Sequence, residues 1–296
     1  MKIAKSVSKM GRACAGILLL ILPAAAQPVR LMVVGVDGLG AFALREKPPA
    51  AVAGLMQRGA WTLKARGVLP TVSSPNWASM IMGAGPEWHG VTSNDWQPDK
   101  FDIAPVCKDA NGRFPTVFGW LREMRPELTM VVIHDWEGFG RLVGPGTANE
   151  VRHVKGSAAA VDAAIEAWKG RKPDLLFLHL DDLDHAGHDS GWETEAYRKA
   201  VMRLGTWLER LVDAAGPETY ILLTGDHGGT GTKHGNPTQR ELEIPWMLAG
   251  PGIAKGREIR AAVSTTDTAA TIGALFGLEP HPCWTGRPVK EALPKR

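Results

Sequence analysis

The sequence has no apolar run long enough for a comfortable transmembrane helix, which needs about 20 residues. Its apolar stretch near the N-terminus, Ala13 to Pro23 around Ile17-Leu18-Leu19-Leu20-Ile21-Leu22, is shorter. A basic start (Lys2, Lys5, Lys9, Arg12) precedes it and the small-residue run Ala24-Ala25-Ala26 follows. That order is the pattern of a cleaved signal peptide over residues 1–26 and points to a periplasmic or secreted protein; an uncleaved anchor is the minority reading. Cys14 lies before the Ile17–Leu22 heart of that stretch, badly placed for a lipidated N-terminus. A charge excess is also lacking. The formal charge of +3 reflects 34 Lys+Arg against 31 Asp+Glu, but four of the cations sit in the leader, leaving 30 against 31. The basic pI is thus no evidence for a nucleic-acid-binding patch. Cysteine is scarce: only Cys107 and Cys283 follow the leader. An oxidising compartment permits a bridge between them, and two buried thiols fit equally well. No internal repeat or low-complexity linker appears. With 44% hydrophobic residues there is enough material for one large core, so residues 27–296 are expected to form a single domain.

What is present is a succession of apolar runs, each followed by a polar or glycine-rich turn. Arg30 to Val36, Leu128 to Ile133, Asp174 to Leu180, Tyr220 to Thr224 and Pro245 to Ala249 read as strands buried on both faces. Helical spacing appears in Ala158 to Trp168, in Glu193 to Val212 (Tyr197, Val201, Leu204, Leu208, Leu211), and in Thr266 to Phe276. Alternating strands and helices predict an α/β fold with a mostly parallel central sheet flanked by helices. Asp37, Asp184 and Asp226 each follow an apolar strand closely. Ligands of open parallel sheets bind outside the carboxyl ends of the strands, so the three acids can meet in one cleft.

Four segments carry candidate chemistry. In Val33-Val34-Gly35-Val36-Asp37-Gly38, Asp37 enters a glycine-rich turn where an acid can hold a metal, although such an Asp is more often only a turn residue. In Pro70-Thr71-Val72-Ser73-Ser74-Pro75-Asn76-Trp77, a serine precedes a predicted helix from Asn76 to Met82. From this segment alone an N-cap leads, while a nucleophile at a phosphate-favouring helix N-terminus uses the same geometry. Asp181-Asp182-Leu183-Asp184-His185-Ala186-Gly187-His188 sets Asp184 and His188 four apart, with His185 as a rival; a solvated acidic loop accounts for Asp181 and Asp182. Gly225-Asp226-His227-Gly228-Gly229, then Lys233-His234-Gly235, adds an acid and two imidazoles. Oxygen and imidazole donors together suit zinc, with manganese the alternative.

As an ordered set, GVDGLG, PTVSSPNWASMIMGAGPEWHGV, DLDHAGH, TGDHGG and KHG resemble the alkaline phosphatase superfamily, most closely its type I phosphodiesterase/nucleotide pyrophosphatase branch, from about Val33 to about Gly252. The resemblance implies an alkaline-phosphatase-like fold and a metal-dependent hydrolase domain with two divalent ions. It places Ser73 as the nucleophile, Asp37, Asp226 and His227 as ligands of one ion, and Asp184, His188 and His234 as ligands of the other. Asn94 matches an Asn that contacts a phosphoryl oxygen. The implied function is hydrolysis of a small-molecule phosphate ester through a phosphoserine intermediate, a diester or nucleotide pyrophosphate ahead of a monoester. Ser73 stands where this branch more often has Thr, and the sequence after His234 also departs, so a phosphomonoesterase remains an alternative. Hydrolysis of a related phosphonate or sulfate ester is another; Trp77 occupies the position where a sulfatase needs Arg. A non-catalytic metal-binding module ranks last, since the whole set is present. A predicted loop holding His134, Asp135, Glu137 and Arg141 is expected to shape the substrate pocket with Trp96. A plain surface loop is at least as good a reading. His153, His179 and His281 read as structural.

Overall fold

The computed structural model describes residues 28–100 and 102–294; the leader expected at 1–26 lies outside them. Among the described residues eight strands form one sheet: β1 (Leu31–Val36), β2 (Gly59–Arg66), β3 (Met130–His134), β4 (Glu150–His153), β5 (Leu175–Leu180), β6 (Tyr220–Gly225), β7 (Glu243–Ala249) and β8 (Arg257–Glu258). Their order is β4-β3-β5-β1-β6-β7-β2-β8. Only β7 runs against the rest, pairing antiparallel with β6 and β2. The mostly parallel α/β sheet is therefore the one expected.

β1 lies near the middle, flanked in parallel by β5 and β6, and every residue of β1 and β5 is buried. Alternate side chains feed two cores. Leu31 and Val33 join the cluster beneath the helices Ser73–Met82, Val117–Met124 and Asp267–Leu275. Met32, Val34 and Val36 join the cluster beneath Ala50–Arg58, Ser157–Arg171 and Glu195–Ala215. Covering both faces is what makes a continuous apolar strand stable. In the Glu195–Ala215 helix, Tyr197, Val201, Leu204, Leu208 and Leu211 are all buried, and the Thr194 side chain caps the first turn by accepting from Tyr197 N–H.

Three strands have no apolar run to announce them. β4 reads EVRH and β8 is two exposed residues, both at sheet edges; β2 reads GAWTLKAR, with a polar side chain at every exposed position. The predicted loop after the second apolar run, Leu128 to Ile133, is also more ordered than expected. His134 closes β3, and Glu137 and Arg141 lie in a short helix, Glu137–Val143. Cys107 and Cys283 are joined by a disulfide, with Cα atoms 6.2 Å apart.

Candidate active site

The three acids are brought together by strand order. Asp37 follows β1 and Asp226 follows β6, its neighbour; after β5, on the other side of β1, the chain enters the helix Asp182–Ser190. Asp184 and His188 are four apart on that helix and so share a face. Gly38 makes the approach possible. Its φ is +71°, its N–H donates to Asp226 Oδ1 at 3.0 Å, and a Cβ there would stand 2.8 Å from Asp184 Cα. Only glycine fits that turn at that distance.

Two trios of donors hold the six expected ligands: Asp37, Asp226 and His227, and Asp184, His188 and His234. A further group, Asp37, Asp181 and Asp184, meets them, so Asp181 is buried against the site rather than part of a solvated loop. The donor atoms of each group lie within 4.8 Å of one another. His227 Nε2 is 3.4 Å from Asp37 Oδ1 and 3.3 Å from Asp226 Oδ2. His188 Nε2 is 3.3 Å from Asp184 Oδ2, and His234 Nε2 is 3.8 Å from Asp184 Oδ1. The rings of His227 and His234 stack with centroids 3.9 Å apart, so the trios adjoin. His185, the rival histidine, instead sits on Asp181 at 3.2 Å and is largely exposed.

These residues fit divalent cations on several grounds. Each imidazole has its Nδ1 on a backbone carbonyl: His227 on Gly228 at 3.0 Å, His188 on Thr232 at 3.0 Å, and His234 on Thr71 at 2.7 Å. A proton on Nδ1 satisfies those carbonyls and leaves each Nε2 lone pair facing the acids. His188 Nε2 and His234 Nε2 then face each other at 3.1 Å, two lone pairs that need a positive charge between them. Asp184 Oδ1 and Asp226 Oδ2 are buried with no hydrogen-bond partner. Burial, and then the neighbouring charge of Asp37, push Asp184 up to about 9 and Asp226 well above the usual carboxylate range. Burial raises Asp37, but the hydrogen bonds its carboxylate accepts from His179 and Trp77 hold it below the usual carboxylate range, so Asp37 stays ionised. Burial holds His227 down to about 3, which keeps its imidazole neutral. Crowded acids beside neutral imidazoles are a donor set for cations.

Ser73 is the first residue of its helix rather than the residue before it. Val72 takes the cap position, and no side chain caps the helix. The Ser73 hydroxyl instead faces the first trio, 3.4 Å from Asp37 Oδ1 and 3.3 Å from His227 Nε2. Asn94 Oδ1 accepts from Ser74 N–H at 2.8 Å, which sets its amide beside Ser73. Arg141 reaches the same loop, donating to the carbonyls of Asn94 at 2.9 Å and Trp96 at 3.1 Å. The Trp96 ring is buried in the apolar core.

The sequence reading missed several supports. Trp77 and His179 both contact Asp37 Oδ2. Glu241, fully buried, accepts from the Thr71 hydroxyl and from Asn236 N–H, while the Thr71 hydroxyl accepts from Gly235 N–H. That knot ties the segment before Ser73 to the loop carrying His234. A lone Glu and Thr in sequence give no hint of it. Among the described residues no helix is long and apolar enough to cross a membrane.

Comparison with known proteins agrees with this architecture. Phosphopentomutase of Symbiobacterium thermophilum is 30% identical over 127 residues, 43% of this chain and 32% of that protein. Phosphopentomutase of Caldanaerobacter subterraneus subsp. tengcongensis is 28% identical over 140 residues, 47% of this chain and 35% of that protein. The matched segment thus spans about a third of each of these relatives. Murine ectonucleotide pyrophosphatase/phosphodiesterase 5, solved as an inactive variant with AMP, has a TM-score of 0.70 at 16% identity, covering 87% of this chain and 97% of that one. A 2-O GAG sulfatase has a TM-score of 0.71 at 14% identity, covering 89% and 74%. These two likenesses establish the shared fold. The profile of the type I phosphodiesterase/nucleotide pyrophosphatase family matches residues 31–123 and 108–248, and the chain belongs to that family, within the alkaline phosphatase superfamily.

Proposed function

We propose that this chain is an exported, single-domain phosphoric-ester hydrolase that uses two divalent ions and Ser73 as nucleophile, with phosphodiesters or nucleotide pyrophosphates as substrates. The observation that carries the proposal is the Ser73 hydroxyl, set at a helix N-terminus within 3.4 Å of donor atoms of the first trio. Asp37, Asp226 and His227 would hold one ion; Asp184, His188 and His234 would hold the other. The mixed oxygen and imidazole set favours zinc over manganese. When bound, such ions supply Lewis-acid stabilisation of developing negative charge and favour the ionised form of a neighbouring hydroxyl.

The chain's own residues supply the rest. Ser73 Oγ attacks phosphorus in line. A new P–O bond forms as the bond to the leaving oxygen breaks, and the phosphoryl group stays on Ser73 until water releases it. The positive end of the Ser73–Met82 helix favours the phosphoryl anion. Asn94, with its Oδ1 taken by Ser74 N–H, offers Nδ2 to a non-bridging oxygen. Arg141 serves the substrate through the loop it clamps rather than by reaching the ester itself. The Cys107–Cys283 bond suits an oxidising compartment, periplasmic or extracellular. The AMP complex of the murine relative supports a nucleotide-type substrate.

The test is hydrolysis by the purified mature protein, with zinc, of bis-p-nitrophenyl phosphate and p-nitrophenyl phosphate, beside Ser73→Ala. Ser73-dependent preference for the diester is the expected result. Preference for the monoester would make the protein a phosphatase, and no turnover of either ester with zinc bound would refute the proposal.

A further inference from the structure

We infer that Trp77 and His179 are positioning residues that fix the orientation of Asp37, an inference that rests on Asp37 being a metal ligand. The helix itself supplies the first part of the argument. Ser73 and Trp77 are one turn apart and share a face. Ser73 Oγ meets Asp37 Oδ1 at 3.4 Å, and the Trp77 indole N–H donates to Oδ2 at 2.9 Å. One helix face thus addresses both oxygens of a single carboxylate.

The sheet supplies the second part. His179 pairs with Gly35 in the β1–β5 register, two residues before Asp37, and its Nε2 lies 3.3 Å from the same Oδ2. His179 Nδ1 is buried with no hydrogen-bond partner. A proton on Nδ1 would be a buried donor without an acceptor, so the ring carries its proton on Nε2 and donates it to Asp37. Oδ2 is then held by two donors, and Oδ1 is left facing Ser73 and His227. Rotating the carboxylate would break both bonds. The donors are themselves locked: both side chains are fully buried, and the Trp77 ring meets His179 edge-on with centroids 4.8 Å apart, with Phe139 at 5.6 Å. Gly35 leaves the space, since a Cβ there would stand 2.6 Å from the Trp77 ring. Outer donors of this kind orient metal-binding carboxylates, and their loss commonly weakens metal binding ten- to a hundredfold.

The experiment is calorimetric zinc titration of the metal-free mature protein, with kinetics on bis-p-nitrophenyl phosphate, for Asp37→Asn, Trp77→Phe, His179→Phe and His179→Gln. We expect Trp77→Phe and His179→Phe each to weaken zinc at one of two sites by about ten- to a hundredfold and to lower kcat more than they raise KM. His179→Gln, which keeps an N–H donor, should recover most of the loss. If Asp37→Asn binds both ions like the wild type, the ligand reading falls. If Asp37→Asn loses one ion while Trp77→Phe and His179→Phe keep both, the ligand reading stands and the positioning role is overturned. Should the variants fail to fold, nitrogen-15 NMR of the wild type decides. The expected result is an Nε2–H tautomer at His179 and a Trp77 indole signal that shifts on adding zinc; an Nδ1–H tautomer or an unmoved indole signal overturns the inference.

Discussion

The site depends on single atoms, and the residue scale is where it can be broken most selectively. Ser73→Ala removes one oxygen from a buried helix start and leaves all six donor residues in place. We expect kcat to fall by about three orders of magnitude or more, as when other serine nucleophiles are lost, with zinc still bound; steady-state kinetics and calorimetry check the pair. Arg141 acts on the loop carbonyls of Asn94 and Trp96, so Arg141→Ala should lower kcat/KM on the diester by roughly tenfold, a loosened hydrogen bond rather than a lost nucleophile. Its unfolding midpoint should change little, because the guanidinium is only partly buried. His89 makes the pH argument. Val91 N–H donates to its Nδ1, its Nε2 faces the Ser79 hydroxyl at 3.0 Å, and burial holds its pKa down from 6.5 to about 3. The folded protein therefore binds fewer protons than the unfolded chain between those two values. Its contribution is fully present above pH 6.5 and declines as pH falls toward 3. Denaturant unfolding of the wild type and His89→Gln across that window should show the shallower pH dependence in the variant.

At the scale of the element, neighbouring atoms decide the sign of a substitution. Gly54 lies inside the Ala50–Arg58 helix, and a Cβ there meets nothing within 4 Å. Gly54→Ala should stabilise the fold by about 0.5–1 kcal/mol through helix propensity. Gly187 is also helical, yet its Cβ would stand 2.3 Å from the Trp192 ring. The Trp192 indole holds the carbonyl of Gly38 at the centre of the site. Gly187→Ala should therefore destabilise by about 1–3 kcal/mol and reduce activity, as overpacking does; thermal unfolding of the two variants separates them. The same contrast explains what the sequence could disclose. Five apolar runs marked the buried strands β1, β3, β5, β6 and β7, and the polar residues at their ends marked the acids. β4 and β8 stayed hidden because an edge strand needs no apolar run, and β2 because its apolar and polar residues alternate. His179 reads as structural from sequence because a histidine inside an apolar strand carries no mark of what it faces across the sheet. The Thr71–Glu241 pair, 170 residues apart, gave no local signal at all.

For the whole molecule, the disulfide joins the segment beyond the Asn94 loop to the C-terminal region past the last sheet strand. Breaking it, by reductant or by Cys283→Ser, should cost about 2–5 kcal/mol, because a long loop regains its freedom in the unfolded chain. Thermal scans with and without reductant test this, and Cys107→Ser/Cys283→Ser should be insensitive to the reductant. Whether the two cysteines bond could not be read from the sequence, since their separation in space is a product of the fold. The spacing of 176 residues also sets a clock. At synthesis rates of about 5–20 residues per second, Cys107 is made on the order of 10–35 seconds before Cys283. It spends that interval as a thiol without its partner. A single thiol-labelling measurement on nascent or truncated chains would therefore distinguish finished molecules from abandoned ones, and an oxidising catalyst that acts too early can only join Cys107 to the wrong sulfur.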